Sequence, residues 1–542
     1  MVESLYRPST HVSIRETTGC ASDESLTCQP NEKQTTFSTE EKGFYTKEIH
    51  SSADILEEDV GEIVELSSVG SCLPVENYLV DFEGPDDPFN PLNWPFRKRA
   101  YTTFAYALCT FGPQTSSSMY GQVSAQIGEQ YHVSSLVATL GVSTFLIGVG
   151  FGPMFFAPIS EVYGRRMGVL VPFFFSGIFA IGCGAADNLQ TIMLMRFFQG
   201  LFGGAPIANT GGVLGDIWRP QTRAIALVFY SFVVTGGPPI GPVIGAAFGT
   251  LGAHGWRWTQ YFAGIYALVV FVLAIFTIPE TYPPVLLSAK AKKLRIETGN
   301  WNYHSKHEEL AFTLKEMVTK HFMRPFAMLA TPIVTFMSIY GSFVFGILYL
   351  GVVAVPITFV TGRGWSQVIA ALPTLSIFFG VVLGGLLNII GSVHYARVLS
   401  RRNGEALPEE RLQAMKIGSF LMPIGLFIFG WTAKDGIPWI APVIGLTLLA
   451  MGFITVFQGC INYLVDSFPR YAASAIAATT FLRSCSAAGF PIFGRIMFEK
   501  LGVDWGASII AFFAIAMIPI PFAFYTFGAR IRARNPYASQ VM

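Results

Sequence analysis

Charge is scarce in this chain of 542 residues: Asp, Glu, Lys and Arg together make up 13%, about half of the roughly 25% usual in soluble domains. The formal net charge of +1 gives no concentrated basic face of the kind nucleic-acid binding needs, so a nucleic-acid partner is not expected. No G-x-x-x-x-G-K-[ST] phosphate loop occurs, which excludes an in-chain ATP motor. Neither H-E-x-x-H nor paired C-x-x-C appears, so no metal site and no enzyme are expected. The seven cysteines make no disulfide framework: Cys109, Cys183, Cys460 and Cys485 stand in apolar runs, where a thiol is a small hydrophobe, and the other three lie in a polar stretch near the N-terminus. The N-terminal stretch shows no basic-then-apolar segment ending in small residues, so no cleavable signal is expected and the first hydrophobic span is expected to direct insertion.

Apolar residues, at 51%, dominate, and the mean hydropathy of +0.47 fits a chain whose solvent is largely lipid. After Arg97, Lys98 and Arg99 long apolar segments recur to about Phe527, each near the ~20 residues that cross a bilayer. They fall at 100–120, 135–157, 167–185, 190–212, 221–248, 259–279, 328–356, 366–390, 413–431, 439–464, 472–496 and 507–527, about twelve helical spans in all. The expected fold is therefore an all-α integral membrane protein of two six-helix bundles, 97–280 and 326–528. A disordered polar tail at 1–96, a central loop at 281–325 and a short tail at 529–542 complete the chain.

Lys and Arg concentrate in alternate connections, at 97–99, 165–166, 219–223, 290–295, 397–411, 470 and 530–534. The positive-inside rule makes these cytoplasmic and places both termini in the cytosol, and no Asn-x-Ser/Thr sequon argues otherwise. The halves also echo each other. Asp216 ends the fourth span and is followed by Arg219, as Asp466 ends the tenth and is followed by Arg470, the pattern expected of parallel transporter repeats.

Three stretches stand out. Gly152 to Arg166 is a basic turn in which Gly164 permits a tight loop, and Glu161, Arg165 and Asp216 suit an ion-pair cluster; membrane anchoring by Arg165 and Arg166 is the blander reading. Arg196 stands inside a hydrophobic span with Gln199 on the same helical face, where a charge costs several kcal/mol unless it meets a polar partner or cavity. Snorkelling to the interface is the alternative, and Arg483, in the eleventh span, poses the same question. In the fifth span Gly237, Pro238, Gly241, Pro242 and Gly245 favour close helix contact and remove hydrogen-bond donors; generic packing would require no more.

No acid lies at the centre of a span, so a polycation finds no dedicated buried carboxylate. The spans offer Phe and Tyr with scattered amides and hydroxyls, among them Gln114, Gln199, Asn209, Tyr340, Tyr349, Gln458 and Asn462, which suit bulky, amphipathic, mostly uncharged molecules; these residues and Arg483 are the candidate substrate pocket.

The three stretches resemble the signature motifs of the major facilitator superfamily, the last that of its proton-coupled antiporters. Asn90 to Pro95, Trp256-Arg257-Trp258, Pro279-Glu280-Thr281-Tyr282 and Pro423 to Phe427 are similar to segments of the fungal twelve-span drug:proton antiporters. The resemblance, over about residues 81 to 537, implies alternating access by two bundles. It also implies export of toxic organic compounds, with polyamines among the substrates of related transporters, in exchange for protons and usually at the plasma membrane; the vacuolar membrane fits the same topology. By position, Arg196 becomes the proton-coupling arginine, Gly152, Glu161, Gly164, Arg165, Arg166 and Asp216 the gate, and Gly237 to Gly245 the antiporter helix. Glu161 stands where the superfamily more often has Asp. Arginine cannot release a proton at working pH, so Asp216 and Asp466 are the candidate proton carriers. No cofactor beyond the proton gradient is expected, and the working unit is expected to be a monomer. An importing symporter or uniporter, and a non-transporting membrane sensor, are the alternatives.

Overall fold

The computed structural model describes residues 78–84, 86–309, 323–401, 408–468, 471–533 and 535. Six helices form the first half: α1 (Phe96–Gln122), α2 (Ser135–Tyr163), α3 (Arg165–Gly184), α4 (Leu189–Ile217), α5 (Pro220–Gly249) and α6 (Gly255–Thr277). The second half holds α7 (Pro332–Pro356), α8 (Leu375–Arg401), α9 (Gln413–Thr432) and α10 (Ile440–Ser467). A continuous stretch, Ala472–Met517, breaks at Gly502, whose φ of 79° no ordinary helix residue adopts. It therefore supplies α11 (472–501) and, continued by Pro519–Ala533, α12 (503–533). The boundaries follow local chemistry: Ser134 caps α2 through the Val137 N–H, and Asn188 caps α4 through the Thr191 N–H at 2.8 Å.

Among the described residues nine helical stretches are long and apolar enough to cross a membrane, and the last of these, Ser474–Ala533, contains the Gly502 break and so crosses twice. Two further helices have the length but not the hydropathy: α1 has 27 residues and α4 has 29. Their polar residues, including Thr110, Gln114 and Ser116 to Ser118 in α1 and Arg196, Gln199 and Asn209 in α4, are buried, so polarity here faces protein and not lipid. Twelve crossings result.

The halves use the same helix pairs. α1 packs on α5 as α7 on α11, α2 on α4 as α8 on α10, and α3 on α6 as α9 on α12. Small residues set several of these seams. A Cβ on Gly148 would lie 2.2 Å from the Phe197 carbonyl, and one on Gly380 would lie 2.3 Å from the Thr447 carbonyl, so α2·α4 and α8·α10 approach backbone to backbone. The halves meet chiefly along α2·α11 and α5·α8.

Three expectations about the connections change. The tail, expected to be disordered through residue 96, is ordered from Tyr78: Leu79 bridges His304, the Val80 N–H donates to the His304 carbonyl at 2.8 Å, and Lys290 pairs with Glu83 at 2.8 Å and Asp87 at 3.4 Å. The Glu83 and Phe89 N–H groups hold the Asp87 carboxyl below the usual carboxylate range. The segment expected to be a central loop contains a 16-residue helix, Pro283–Thr298, closed by Gly299 with φ 68°. The C-terminal tail expected from 529 begins inside α12, where Arg532 pairs with the buried Glu409 at 2.8 Å. Opposite charges and free backbone groups at these places found partners distant in sequence. The disorder expected of 1–77, the rest of the central loop at 310–322 and the tail at 536–542 lie outside the described residues.

Candidate functional site

Two kinds of polar cluster interrupt the apolar interior, one at the end of the molecule rich in Lys and Arg and one in the middle of the spans. At the basic end Gly164, with φ 95°, turns the chain between α2 and α3. Arg165 then points back along the bundle: its Nε lies 3.1 Å from Asp216, its Nη1 donates to Ser160 Oγ at 2.9 Å, and its guanidinium lies over the Tyr282 ring. Glu161, on the last turn of α2, is within electrostatic reach of that same ring. The expected gate residues thus gather. Arg166 adds a bond to the Ile275 carbonyl at 2.6 Å. Gly152 serves packing, since a Cβ there would meet the Leu201 carbonyl at 2.7 Å.

Sequence reasoning missed the role of Glu280. Its carboxylate accepts the backbone N–H groups of Arg165 at 2.9 Å and Arg166 at 3.1 Å, capping α3 from 115 residues away. It also lies against Gly164, where a Cβ would fall 2.3 Å from its Oε2. The signal was the free N–H groups at the start of α3, which require an acceptor and find none locally.

The second half repeats the arrangement through a residue that was also missed. Asp466 pairs with Arg411, in the turn Pro408–Leu412 just before α9, with Nε–Oδ2 2.8 Å, while Arg470, which follows Asp466 in sequence, lies outside the described residues. Arg411 lies over Tyr395 as Arg165 lies over Tyr282. Arg219, which follows Asp216 in sequence, donates instead to Asn93 at 3.0 Å. Among the described residues each half thus has one acid–arginine contact at the basic end, Arg165–Asp216 and Arg411–Asp466.

In the middle of the first half Arg196 is fully buried. Its Nε donates to the Gly141 carbonyl at 3.1 Å, and its Nη1 to Gln199 Oε1 at 3.0 Å and Ser116 Oγ at 3.3 Å. Gln199 donates in turn to Ser116 Oγ at 3.0 Å, and the rings of Tyr120 and Phe145 lie 4.8 and 4.4 Å from the guanidinium carbon. Snorkelling is ruled out by this burial. The charge is met by neutral dipoles and rings rather than by a carboxylate.

Arg483 stands inside α11 of the other half, 8% exposed. Its guanidinium lies 4.6 Å from the Phe345 centroid and 5.1 Å from that of Phe457. Its buried Nε has no hydrogen-bond partner. Between the two arginines, with Ser116 of the Arg196 shell on one side and the Phe345 ring on the other, the Tyr349 hydroxyl bonds Ser117 Oγ at 2.8 Å across the bundle seam.

The remaining expected pocket residues divide. Gln458 accepts from Ser231 of the other half at 3.3 Å and donates to Asn462 at 3.2 Å, so both sit at the seam. Gln114 packs under Gly237, where a Cβ would lie 2.8 Å from its own. Asn209 was expected to line a pocket, but it is spent on structure: it donates to the Gly168 and Phe156 carbonyls and accepts from Ser160, tying α4 to α3 and α2. Tyr340 is buried among the residues of α7 and its neighbours with its hydroxyl unbonded. The fifth-span motif is a packing seam. Cβ atoms on Gly241 and Gly245 would lie 2.5 and 2.4 Å from the Thr115 and Met119 carbonyls, and helix α5 runs on through Pro238, Pro239 and Pro242.

This architecture of paired bundles with ion pairs at one end and buried polar groups at the seam is that of a membrane transporter, and the chain belongs to the major facilitator superfamily, whose sequence profile matches residues 106–491. Among curated proteins it is similar to "Efflux pump bik6" of Gibberella fujikuroi, 43% identical over 85% of this chain and 95% of that one. It is also similar to the "Citrinin biosynthesis cluster MFS transporter mrr1" of Monascus ruber, 42% identical over 86% and 93%. The "Major facilitator superfamily multidrug transporter FLU1" of Candida albicans is 36% identical over 85% and 76%. Among solved structures the xylose transporter XylE from E. coli, in a partially occluded inward-open conformation, superimposes with a TM-score of 0.54 at 15% identity over 80% of this chain and 98% of that one, a likeness of fold.

Proposed function

We propose that this protein is a proton-coupled antiporter that exports xenobiotics or hydrophobic organic compounds by alternating access, as a monomer, at the plasma membrane with both termini in the cytosol. The observation that carries the reading is the pair of equivalent ion pairs, Arg165–Asp216 and Arg411–Asp466, at the basic end of each half. At Asp216 burial outweighs the neighbouring Arg165 guanidinium and raises the carboxyl to about 6, so this acid takes up a proton near working pH, and its neutralisation would release Arg165 and couple proton uptake to movement of the helices that carry the partners. Arg196 keeps its proton at working pH and acts as a fixed positive charge inside the first half. The relatives named as an efflux pump and a multidrug transporter support the outward direction. The excess of Lys and Arg at one end supports its cytosolic placement.

The test is flux in proteoliposomes under imposed pH gradients of both signs, with a panel of fluorescent dyes. Substrate should move against the proton gradient, and Asp216→Asn and Asp466→Asn should lose gradient-driven accumulation while still exchanging substrate down its own gradient. If both variants keep proton-driven accumulation, the assignment of the proton to these acids is wrong. Flux running with protons would replace the antiporter by a symporter, flux indifferent to pH by a uniporter, and binding without movement by a sensor.

A further inference from the structure

We propose that Arg483 is the anion-receiving group of the transport site, so that the exported compounds carry a carboxylate or phenolate on a planar aromatic frame; this rests on the reading of the protein as an exporter and names its substrate class. Arg483 is buried, its Nε has no hydrogen-bond partner, and it forms no ion pair among the described residues. A guanidinium presents its donors in one plane and matches a carboxylate edge to edge, so an unfilled edge in a low-dielectric interior is a strong donor site for an oxyanion. Arg196 differs in having that edge filled by Gly141, Ser116 and Gln199.

The surroundings supply the rest of the recognition. The Phe345 ring, against which the guanidinium lies, is 5.5 Å from that of Tyr349 and 5.9 Å from that of Phe457, and Phe457 stacks on Phe453 at 5.6 Å and 12°. These four rings form an aromatic wall beside the cation, suited to a flat ring system whose charged group reaches Arg483. The site also lies where alternating access requires it. Phe481 packs on Phe151 of α2 at 5.2 Å, and a Cβ on Gly150 would lie 2.9 Å from that of Ser484, so the turn carrying Arg483 touches the other bundle. With the buried guanidinium of Arg483 at the seam, that of Arg196 inside the first half and no carboxylate at the centre of any span, an anion neutralises the site and a cation is repelled by it.

Fluorescein and rhodamine 6G separate these cases, since they share a xanthene ring system but the first is an anion and the second an ester-capped cation near pH 8. Binding of each to the purified full chain in detergent is read by anisotropy, independently of transport. The native protein should prefer fluorescein. Arg483→Gln should weaken fluorescein on the order of thirtyfold or more and leave rhodamine 6G unchanged or improved, and Arg483→Lys should restore part of the loss. Equal affinity for both dyes in the native protein, absence of fluorescein binding, or an unchanged preference in a monodisperse Arg483→Gln would overturn the proposal. So would equal loss of both dyes in that variant. Anion binding through Arg483 without pH-driven flux would leave this assignment standing and remove the antiporter reading.

Discussion

Arg196 and Arg483 stand mid-span in opposite halves, at 0% and 8% exposure, each against two aromatic rings. One is surrounded by acceptors from α1, α2 and its own helix, and the other has an empty donor. Helices α4 and α11, from opposite halves, therefore carry the same expensive residue for different ends. A buried cation that folding has fully solvated with protein dipoles holds its neighbours in place, and one left incompletely solvated keeps its binding capacity for something that arrives later. The asymmetry lies on top of a symmetric pair of acid–arginine contacts at the basic end.

The largest effect should come from Arg196→Ala. It empties the volume of a large buried side chain and strips Gln199 Oε1 and the Gly141 carbonyl of a donor, at a cost of about 3 kcal/mol or more in stability. Thermal unfolding in detergent should show a clear fall, and flux should be lost. A variant as stable as the native protein would mean that the shell around Arg196 does not solvate it, and the contrast between the two arginines would collapse.

The sequence made one side of this comparison legible and hid the other. Arg196 was marked by its cost, and its partner Gln199 by the i, i+3 spacing, because both signals are local. Arg483 was marked by the same cost, but its empty donor was invisible, since the residues that surround it come from α7 and α10. Asn209 looked like a pocket amide because the carbonyls it satisfies belong to α2 and α3. Glu280 and Arg411 escaped for the same reason: their partners lie 115 and 55 residues away. Span number, bundle division and the position of the acids were readable because hydropathy and charge repeat along the chain. Hydrogen bonds between spans carry no such period.

An intermediate effect is expected from Tyr349→Phe, which removes the bond to Ser117 that joins the halves between the two cations. A single neutral hydrogen bond is worth about 1 kcal/mol, small for folding but about fivefold in an equilibrium between two seam arrangements. Distance measurements between spin labels on α1 and α7 should shift toward the parted arrangement. Ser117→Ala should shift it equally, and an unequal response would show that the tyrosine ring, rather than the bond, joins the bundles.

Arg483→Gln should change stability least, by no more than about 1 kcal/mol, because the cation–π contacts it loses are offset by relief of desolvation at an unpaired charge. The neutral amide keeps a donor and much of the side-chain volume, so the four rings beside it need not repack. The measurement is the same detergent unfolding used for Arg196→Ala, read beside the dye affinities. A melting temperature near the native value together with lost fluorescein preference would place the whole contribution of Arg483 in the bound state. A fall as large as that of Arg196→Ala would instead make Arg483 a second structural cation, solvated by its rings alone, and would erase the difference from which its role was argued.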